Sequence, residues 1–128
     1  MNRRYLLDTH ALLWWAHEPA RLSAGAAEAL TDGENEMFVS AVSAMEIATK
    51  VRLRKLESSL DRNFIDQVTE HGLKTLSITA EHAQLAGNFV DANQDPWDRL
   101  LAAQAQLERL TLVSCDRRMN GFGVTTLW

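Results

Sequence analysis

The sequence has little of several features that define other classes of protein. It contains one cysteine, Cys115, which excludes an internal disulfide bond and predicts a reducing, cytoplasmic environment. No apolar run approaches the length of a membrane span, and no stretch has the composition of a targeting segment. Basic residues are not in excess, since 13 Lys and Arg stand against 17 Asp and Glu, a net charge of −4. Nucleic-acid binding by bulk positive charge is therefore disfavoured.

The sequence also lacks the clusters that bind transition metals. Its four histidines, His10, His17, His71 and His82, do not have the spacing of metal ligands, and we expect most of them to be solvated. Cys115 lies in an apolar run and is predicted to be a small core residue rather than a nucleophile. A zinc or thiol-based site is therefore not expected.

The sequence does contain a regular alternation of strand and helix patterns over one domain, 1–128. The consecutive apolar residues 5–7 are typical of a strand buried on both faces, as in a parallel sheet covered by helices. Further strands are predicted at 36–40, 73–78 and 110–114, with 123–127 as a candidate for the last. Helices are predicted at 11–16, 23–30, 60–71 and 79–89, and from 43 and 95 onwards. This order predicts an α/β fold with right-handed crossovers.

Four acidic residues occupy related places in that pattern. Asp8 and Asp116 each follow a strand directly, whereas Glu46 and Asp98 are each placed in the first turn of a helix. Because the carboxyl ends of parallel strands meet at one edge, the four acids are expected to face one cleft. Each also has a structural interpretation: Asp8 and Asp116 as caps, Glu46 in a capping box with Ser43, and Asp98 at a helix dipole.

A cluster of carboxylates favours a hard cation such as Mg²⁺ or Mn²⁺, a common tool for phosphodiester hydrolysis. Like charges that converge without a cation would raise one another's pKa and cost stability. The shared placement therefore favours a metal site over four separate caps.

Four segments together resemble the PIN domain and, more narrowly, the VapC-type toxins of type II toxin–antitoxin pairs. They are YLLDTH at 5–10, SAME at 43–46, DPWDRLLAAQA at 95–105 and SCDR at 114–117. The resemblance spans nearly the whole chain, and its most specific piece is the Asp-Pro-aromatic-Asp-Arg block. Asn93 and Gln94 depart from it, since many relatives carry a histidine just before the Asp-Pro pair.

The resemblance implies a three-layer α/β/α sandwich around a mostly parallel sheet and a Mg²⁺-dependent endoribonuclease activity. It implies an RNA substrate, a cognate small antitoxin that blocks the cleft, and a homodimer. The residues that match the family are the catalytic and metal-binding Asp8, Glu46, Asp98 and Asp116, with Thr9 and Ser114 in support.

Two groups of residues outside the acids are candidates for contacts. Arg99 and Arg117 each follow a proposed metal ligand and are candidates for RNA phosphate contacts, while the basic residues of 50–55 form either a distal RNA contact or a solvated helix face. Trp14 and Trp15 point about 100° apart on a helix, so either both lie in a wide buried stripe or one lines an interface.

Two other functions stay open. Asp8 could be the nucleophile of a phosphatase, although such enzymes carry Asp-x-Asp and His10 stands at the third position here. The chain could also be an interaction module that kept the fold and lost the chemistry.

Within the Asp-Pro block, Asp95 is predicted to cap a helix and Asp98 to face the metal.

Overall fold

In the computed structural model, which describes residues 3–128, five strands alternate with helices. The strands are β1 (Arg4–Leu7), β2 (Glu36–Ser40), β3 (Lys74–Leu76), β4 (Thr111–Val113) and β5 (Thr126–Leu127). The α-helices are α1 (Thr9–His17), α2 (Ala24–Thr31), α3 (Ala41–Arg52), α4 (Phe64–Glu70), α5 (Ala80–Asn88) and α6 (Pro96–Leu107). Short 3₁₀ segments lie at Pro19–Arg21, Ser59–Asp61 and Arg117–Phe122.

The strands form one sheet in the order β3-β2-β1-β4-β5, and each neighbouring pair is parallel. Successive residues of β1 point to opposite faces, so Leu6 and Leu7 enter separate apolar cores. Leu12 and Ile47 share the core of Leu7, while Leu101 lies with Leu6. The predicted three-layer α/β/α architecture around a parallel sheet is confirmed.

None of the helices described between residues 3 and 128 is long and apolar enough to cross a membrane.

Several helix starts lie where the sequence predicted them, because short polar side chains satisfy exposed backbone N–H groups there. Ser23 caps α2, Thr79 caps α5 and Asp95 caps α6, with Pro96 at its first position. Gly72 follows the end of α4 with φ of 81°, a conformation that glycine adopts without strain. The cap at Asp95 fixes the start of α6 and so the position of Asp98 in its first turn.

Helix α3 begins earlier than predicted, and the predicted capping box is wrong. Ser40 is both the last residue of β2 and the N-cap of α3, since its Oγ accepts a hydrogen bond from the Val42 N–H at 2.9 Å. Strand and helix therefore join without a linker. Glu46 consequently lies in the second turn of α3 rather than the first, and it does not form a capping box with Ser43.

Cys115 and the helix predicted over 60–71 differ from the prediction. Cys115 is exposed, because it lies beyond the end of β4 at the sheet edge. The segment 60–71 is divided at Asn63, whose φ is 51°, and α4 begins only at the next residue, with Ile65 exposed in its first turn. Most of the histidines are exposed as expected, namely His10, His17 and His71, while His82 is buried and completes a capping box with Thr79.

Candidate functional site

Asp8 lies at the carboxyl end of the central strand and is buried. Its backbone N–H donates to the carbonyl of Val113 on β4 at 3.1 Å, and its Oδ1 accepts from the Ala11 N–H at 2.8 Å. It is therefore the N-cap of α1, as its structural interpretation predicted. Burial raises the pKa of Asp8, hydrogen bonds from Ser114 and Ala11 oppose this, and the negative charge of Asp98 adds to it. Burial would not raise the pKa of a capping carboxyl group that was exposed to water.

Asp98 occupies the third position of α6, behind a cap supplied by Asp95. The Asp95 Oδ1 accepts from the backbone N–H groups of Trp97 at 2.8 Å and Asp98 at 3.2 Å, as predicted for the cap. The Asn93 side-chain amide donates to Oδ2 of Asp98 at 3.0 Å. Burial raises the pKa of Asp98, and the charges of Asp95 and Asp116 raise it further against the hydrogen bond from Asn93. Asp98 is thus held in a crowded acidic region.

Asp116 follows β4 and is paired with a residue that the sequence did not single out, Arg118. The Arg118 Nη2 lies 2.8 Å from Asp116 Oδ2, and Nε lies 3.2 Å from both carboxylate oxygens. These hydrogen bonds lower the pKa of Asp116. The same guanidinium is 3.9 Å from Oδ2 of Asp98. The only signal in the sequence was that Arg118 lies two residues beyond a predicted ligand.

The two hydroxyl residues predicted to support the site connect its parts. The Ser114 Oγ accepts from the Asp116 N–H at 3.1 Å, and the same side chain lowers the pKa of Asp8 against the effect of burial. The Thr9 Oγ1 lies 2.9 Å from the Ser43 Oγ in a buried contact between α1 and α3. Ser114 therefore links two of the acids directly, whereas Thr9 links the helices that carry Asp8 and Glu46.

Glu46 is buried on α3 and already has a cationic partner. The residue is 7% exposed, and its Oε2 lies 2.6 Å from the Nζ of Lys50, one helical turn further along. The spacing of four residues brings these two side chains together on the helix surface. A metal ion at Glu46 would have to compete with this ammonium group.

The carboxylates are close enough to affect one another, but they do not form a ready set of metal ligands. Asp98 raises the pKa of Asp8, and Asp116 raises that of Asp98. Among residues 3–128, no three His, Cys, Asp or Glu side chains are arranged to hold a metal ion. Their oxygens are instead engaged by Asn93, Arg118 and other protein groups. The donor chemistry suits a hard cation, while the arrangement would need side-chain movement to bind one.

The prediction that Arg99 contacts RNA is corrected by its surroundings. Arg99 is 9% exposed, and its guanidinium donates all five N–H groups to backbone carbonyls. The acceptors are the carbonyl oxygens of Ala86, Gly87, Phe89, Asp91 and Asn93. Arg99 therefore fixes the loop between α5 and α6, including the residue that hydrogen-bonds to Asp98.

The second predicted arginine, Arg117, is exposed beside the acids. It lines an open cleft of about 590 Å³ together with Arg118 and residues of the loop before α6. Asp91, Asn93 and Asp95 also line this cleft. Of the two arginines that were candidates for RNA contact, Arg117 is therefore the exposed one and Arg99 the buried one.

The fold and the acids at its sheet edge define a known family. Residues 5–123 match the family model described as the PIN domain. The chain therefore belongs to the PIN domain family, and the resemblance inferred from the sequence is confirmed.

The chain is similar in sequence to one relative, and two solved structures share its fold. It is 34% identical to Ribonuclease VapC22 of Mycobacterium tuberculosis (strain ATCC 25618 / H37Rv) over 117 residues, which cover 90% of this chain and 88% of the relative. The structure of VapBC2 from Rickettsia felis bound to a DNA fragment from their promoter matches with a TM-score of 0.70 and 14% identity, over 97% of each chain. DNA-bound VapBC from Salmonella typhimurium matches with a TM-score of 0.70 and 17% identity, over 99% and 98%.

Proposed function

We propose that this chain is a Mg²⁺-dependent endoribonuclease and the toxin of a toxin–antitoxin pair. One observation supports the proposal most strongly: Asp8 and Asp116 follow the neighbouring parallel strands β1 and β4, and one guanidinium, that of Arg118, lies 2.8 Å from Asp116 and 3.9 Å from Asp98. The similarity to a relative named as a ribonuclease supports the same activity. We assign the function to one PIN-like domain, 1–128, acting in the cytoplasm.

The cation would be held by Asp8, Glu46, Asp98 and Asp116, and Mn²⁺ could replace Mg²⁺ because both prefer oxygen ligands. Bound there, the ion supplies activation of water and stabilisation of the leaving oxygen.

The protein's own groups prepare this site. Ser114 and the Ala11 N–H orient Asp8, and Asn93 orients Asp98 through its hydrogen bond to Oδ2. Arg99 holds the carbonyl of Asn93 at 2.8 Å and so fixes the loop that carries that amide. Arg117 is the candidate contact for an RNA phosphate. The basic residues of 50–55 are a weaker candidate, since Lys50 is engaged by Glu46.

The partners proposed are the RNA substrate, a small antitoxin and a second copy of this chain. A basic or aromatic antitoxin peptide would pair with the carboxylates and close the cleft. For the homodimer we propose the apolar surface between α3 and α4, where Ile65 is 62% exposed beside Ala44, Phe64 and Leu76. Substitution Ile65→Asp should convert a dimer into a monomer in light scattering, whereas an unchanged mass would reject this surface.

A second candidate function is an interaction module without catalysis. It is favoured by the cations that already occupy two carboxylates, Lys50 at Glu46 and Arg118 at Asp116. The phosphatase alternative rests on Asp8 as a nucleophile.

One experiment separates the three. Purified protein is incubated with total RNA, with Mg²⁺ or with excess chelator, and the cut ends are mapped. Cleavage that needs Mg²⁺ supports the nuclease, whereas intact RNA under both conditions supports the module. Release of phosphate from a phosphomonoester, with RNA left intact, would support the phosphatase.

A further inference from the structure

A cluster of three aromatic rings and one cation lies outside the carboxylate site just described. It consists of His10, Trp14, Trp128 and Arg21, and we call it the aromatic cluster. The ring centroids of Trp14 and Trp128 are 5.5 Å apart, and those of His10 and Trp14 are 5.8 Å apart. The Arg21 guanidinium carbon lies 4.7 Å from the Trp14 centroid. The ring planes are tilted by 31° and 56°, and these distances are within the range of aromatic and cation–π contacts.

The topology places the aromatic cluster beside the acids. Trp128 directly follows β5, and β5 is parallel to β4, so Trp128 lies at the same sheet edge as Asp116. The backbone N–H of Ser114 donates to the carbonyl of Leu127 at 3.0 Å, which holds the two strand ends together. On the other side, His10 is two residues beyond Asp8 in the first turn of α1. The cluster therefore adjoins the carboxylates through both β5 and α1.

The cluster is a surface feature. Trp15 and Trp97 pack against the two apolar cores, whereas Trp14 is half-buried under Arg21 and Trp128. Trp128 is 38% exposed and His10 is exposed. Leaving indole surface in water forgoes hydrophobic stabilisation. Exposed aromatic rings beside a proposed catalytic site are therefore candidates for ligand contact.

We propose that the aromatic cluster is a subsite for an unpaired base of the RNA substrate. The base stacks on the exposed Trp128 ring, which Trp14 contacts at an inclination of 56°, and Arg21 and His10 offer donors to the adjoining phosphate. Every base has a flat face, so stacking on aromatic rings with a nearby cation is how proteins hold single strands without reading their sequence. This inference rests on the proposed function, because it places a nucleotide next to the bond that is cut.

The chemistry favours a nucleotide over a protein partner at this place. A peptide that neutralised the carboxylates would need to be basic, and Arg21 would repel its cations. A nucleotide brings an anionic phosphate and a neutral base together, which matches one cation beside exposed rings. The carboxylates themselves repel the phosphate, so a subsite of this kind supplies binding that they cannot.

The test measures binding of two probes to the full chain in excess chelator, so that cleavage and binding are separated. One probe is a short fluorescent oligouridylate, and the other is the same sugar–phosphate chain without bases. Trp128→Ala should weaken oligouridylate binding by on the order of tenfold, the loss typical of one stacked base. It should leave binding of the abasic chain unchanged. Trp128→Phe should restore most of the loss, since it keeps an aromatic face.

The matched control is Trp15→Phe, which alters the neighbouring tryptophan that contacts His71 instead of the cluster. It should bind both probes like the unsubstituted chain, and thermal melts verify that each variant folds. The proposal would be overturned if Trp128→Ala bound oligouridylate as tightly as the unsubstituted chain does. It would also be overturned if Trp128→Ala lost the same affinity for both probes. Loss of a co-purifying protein with RNA binding intact would overturn it in favour of a protein surface. Cleavage assays of the same variants with Mg²⁺ separate the base subsite from the proposed nuclease activity. Binding that depends on the base but is not accompanied by cleavage would refute the nuclease activity and leave the subsite standing.

Discussion

Arg118 forms a two-pronged ion pair with Asp116, with Nη2 2.8 Å and Nε 3.2 Å from Oδ2, on a guanidinium that also lies 3.9 Å from Asp98. An arginine therefore occupies part of the space between two of the proposed metal ligands. A cation that binds these carboxylates has to displace it or share them with it. This guanidinium and the Lys50 ammonium at Glu46 offset part of the charge of the four carboxylates.

Removing this charge should strengthen metal binding. In Arg118→Gln, Mg²⁺ no longer competes with a guanidinium for Asp116 and Asp98, so its affinity should rise by roughly fivefold, a typical value for an exposed ion pair. The rise of the melting temperature with Mg²⁺ concentration measures this. Arg117→Gln is the matched control, since it removes the same charge one residue away. An equal rise of Mg²⁺ affinity in both variants would mean that the affinity depends on net charge alone and not on the ion pair between Arg118 and the carboxylates.

Substitutions of the two acids at the start of α6, Asp95 and Asp98, should have clearly different effects on stability and cleavage. Asp95 acts as a cap, and asparagine caps equally well, so Asp95→Asn should be nearly silent in stability and cleavage. Asp95→Ala should cost on the order of 1 kcal/mol of unfolding free energy. Asp98→Asn should lose cleavage, because a ligand needs its charge. Cleavage that is lost in Asp95→Asn and kept in Asp98→Asn would reverse this assignment.

The buried carboxylate of Asp8 should make stability depend on pH when metal is chelated. Burial raises its pKa in the folded chain above the unfolded value of about 3.9. Between these two values the folded chain still holds a proton that the unfolded chain has lost, so stability falls as pH rises through this window. Asp8→Asn keeps the cap without the charge. It should therefore melt higher than the unsubstituted chain at pH 7, and this difference should vanish below about pH 4. A lower melting temperature at pH 7 would contradict the argument.

Arg99 should be irreplaceable for stability. Its five hydrogen bonds hold the loop before α6, and a lysine ammonium has three donors without the planar fork. Arg99→Lys should lower the unfolding free energy by about 3 kcal/mol, the scale for breaking buried charged hydrogen bonds. Denaturant unfolding measures it. A lysine variant of full stability, with RNA binding that depends less on salt, would restore Arg99 as an RNA contact.

The sequence predicted the architecture well because hydrophobic pattern and caps act locally. The run at 5–7 is apolar at every position, and it forms the central strand with both faces buried. Thr79 and Asp95 cap the helices that they were predicted to cap. By contrast, Ser40 and Ser43 are both competent caps, and the choice between them depends on where β2 ends against its neighbours.

The positions of single acids were predictable, and those of their partners less so. Asp8 and Asp116 follow neighbouring parallel strands, which the chain order reveals. The partners of Arg99 and Arg118 depend on loops folding back over the sheet edge, and no local pattern encodes that. The burial of His82 depends on a different tertiary contact, the packing of α6 over α5.

The most direct test of the central claim is the rate at which the purified chain cleaves RNA as Mg²⁺ is titrated, compared with that of Asp8→Asn. We expect no cleavage in excess chelator, cleavage that rises and saturates with Mg²⁺, and none from Asp8→Asn at any Mg²⁺ concentration, although that variant stays folded. Full activity in chelator, or full activity of Asp8→Asn, would contradict a metal-dependent nuclease built on these carboxylates.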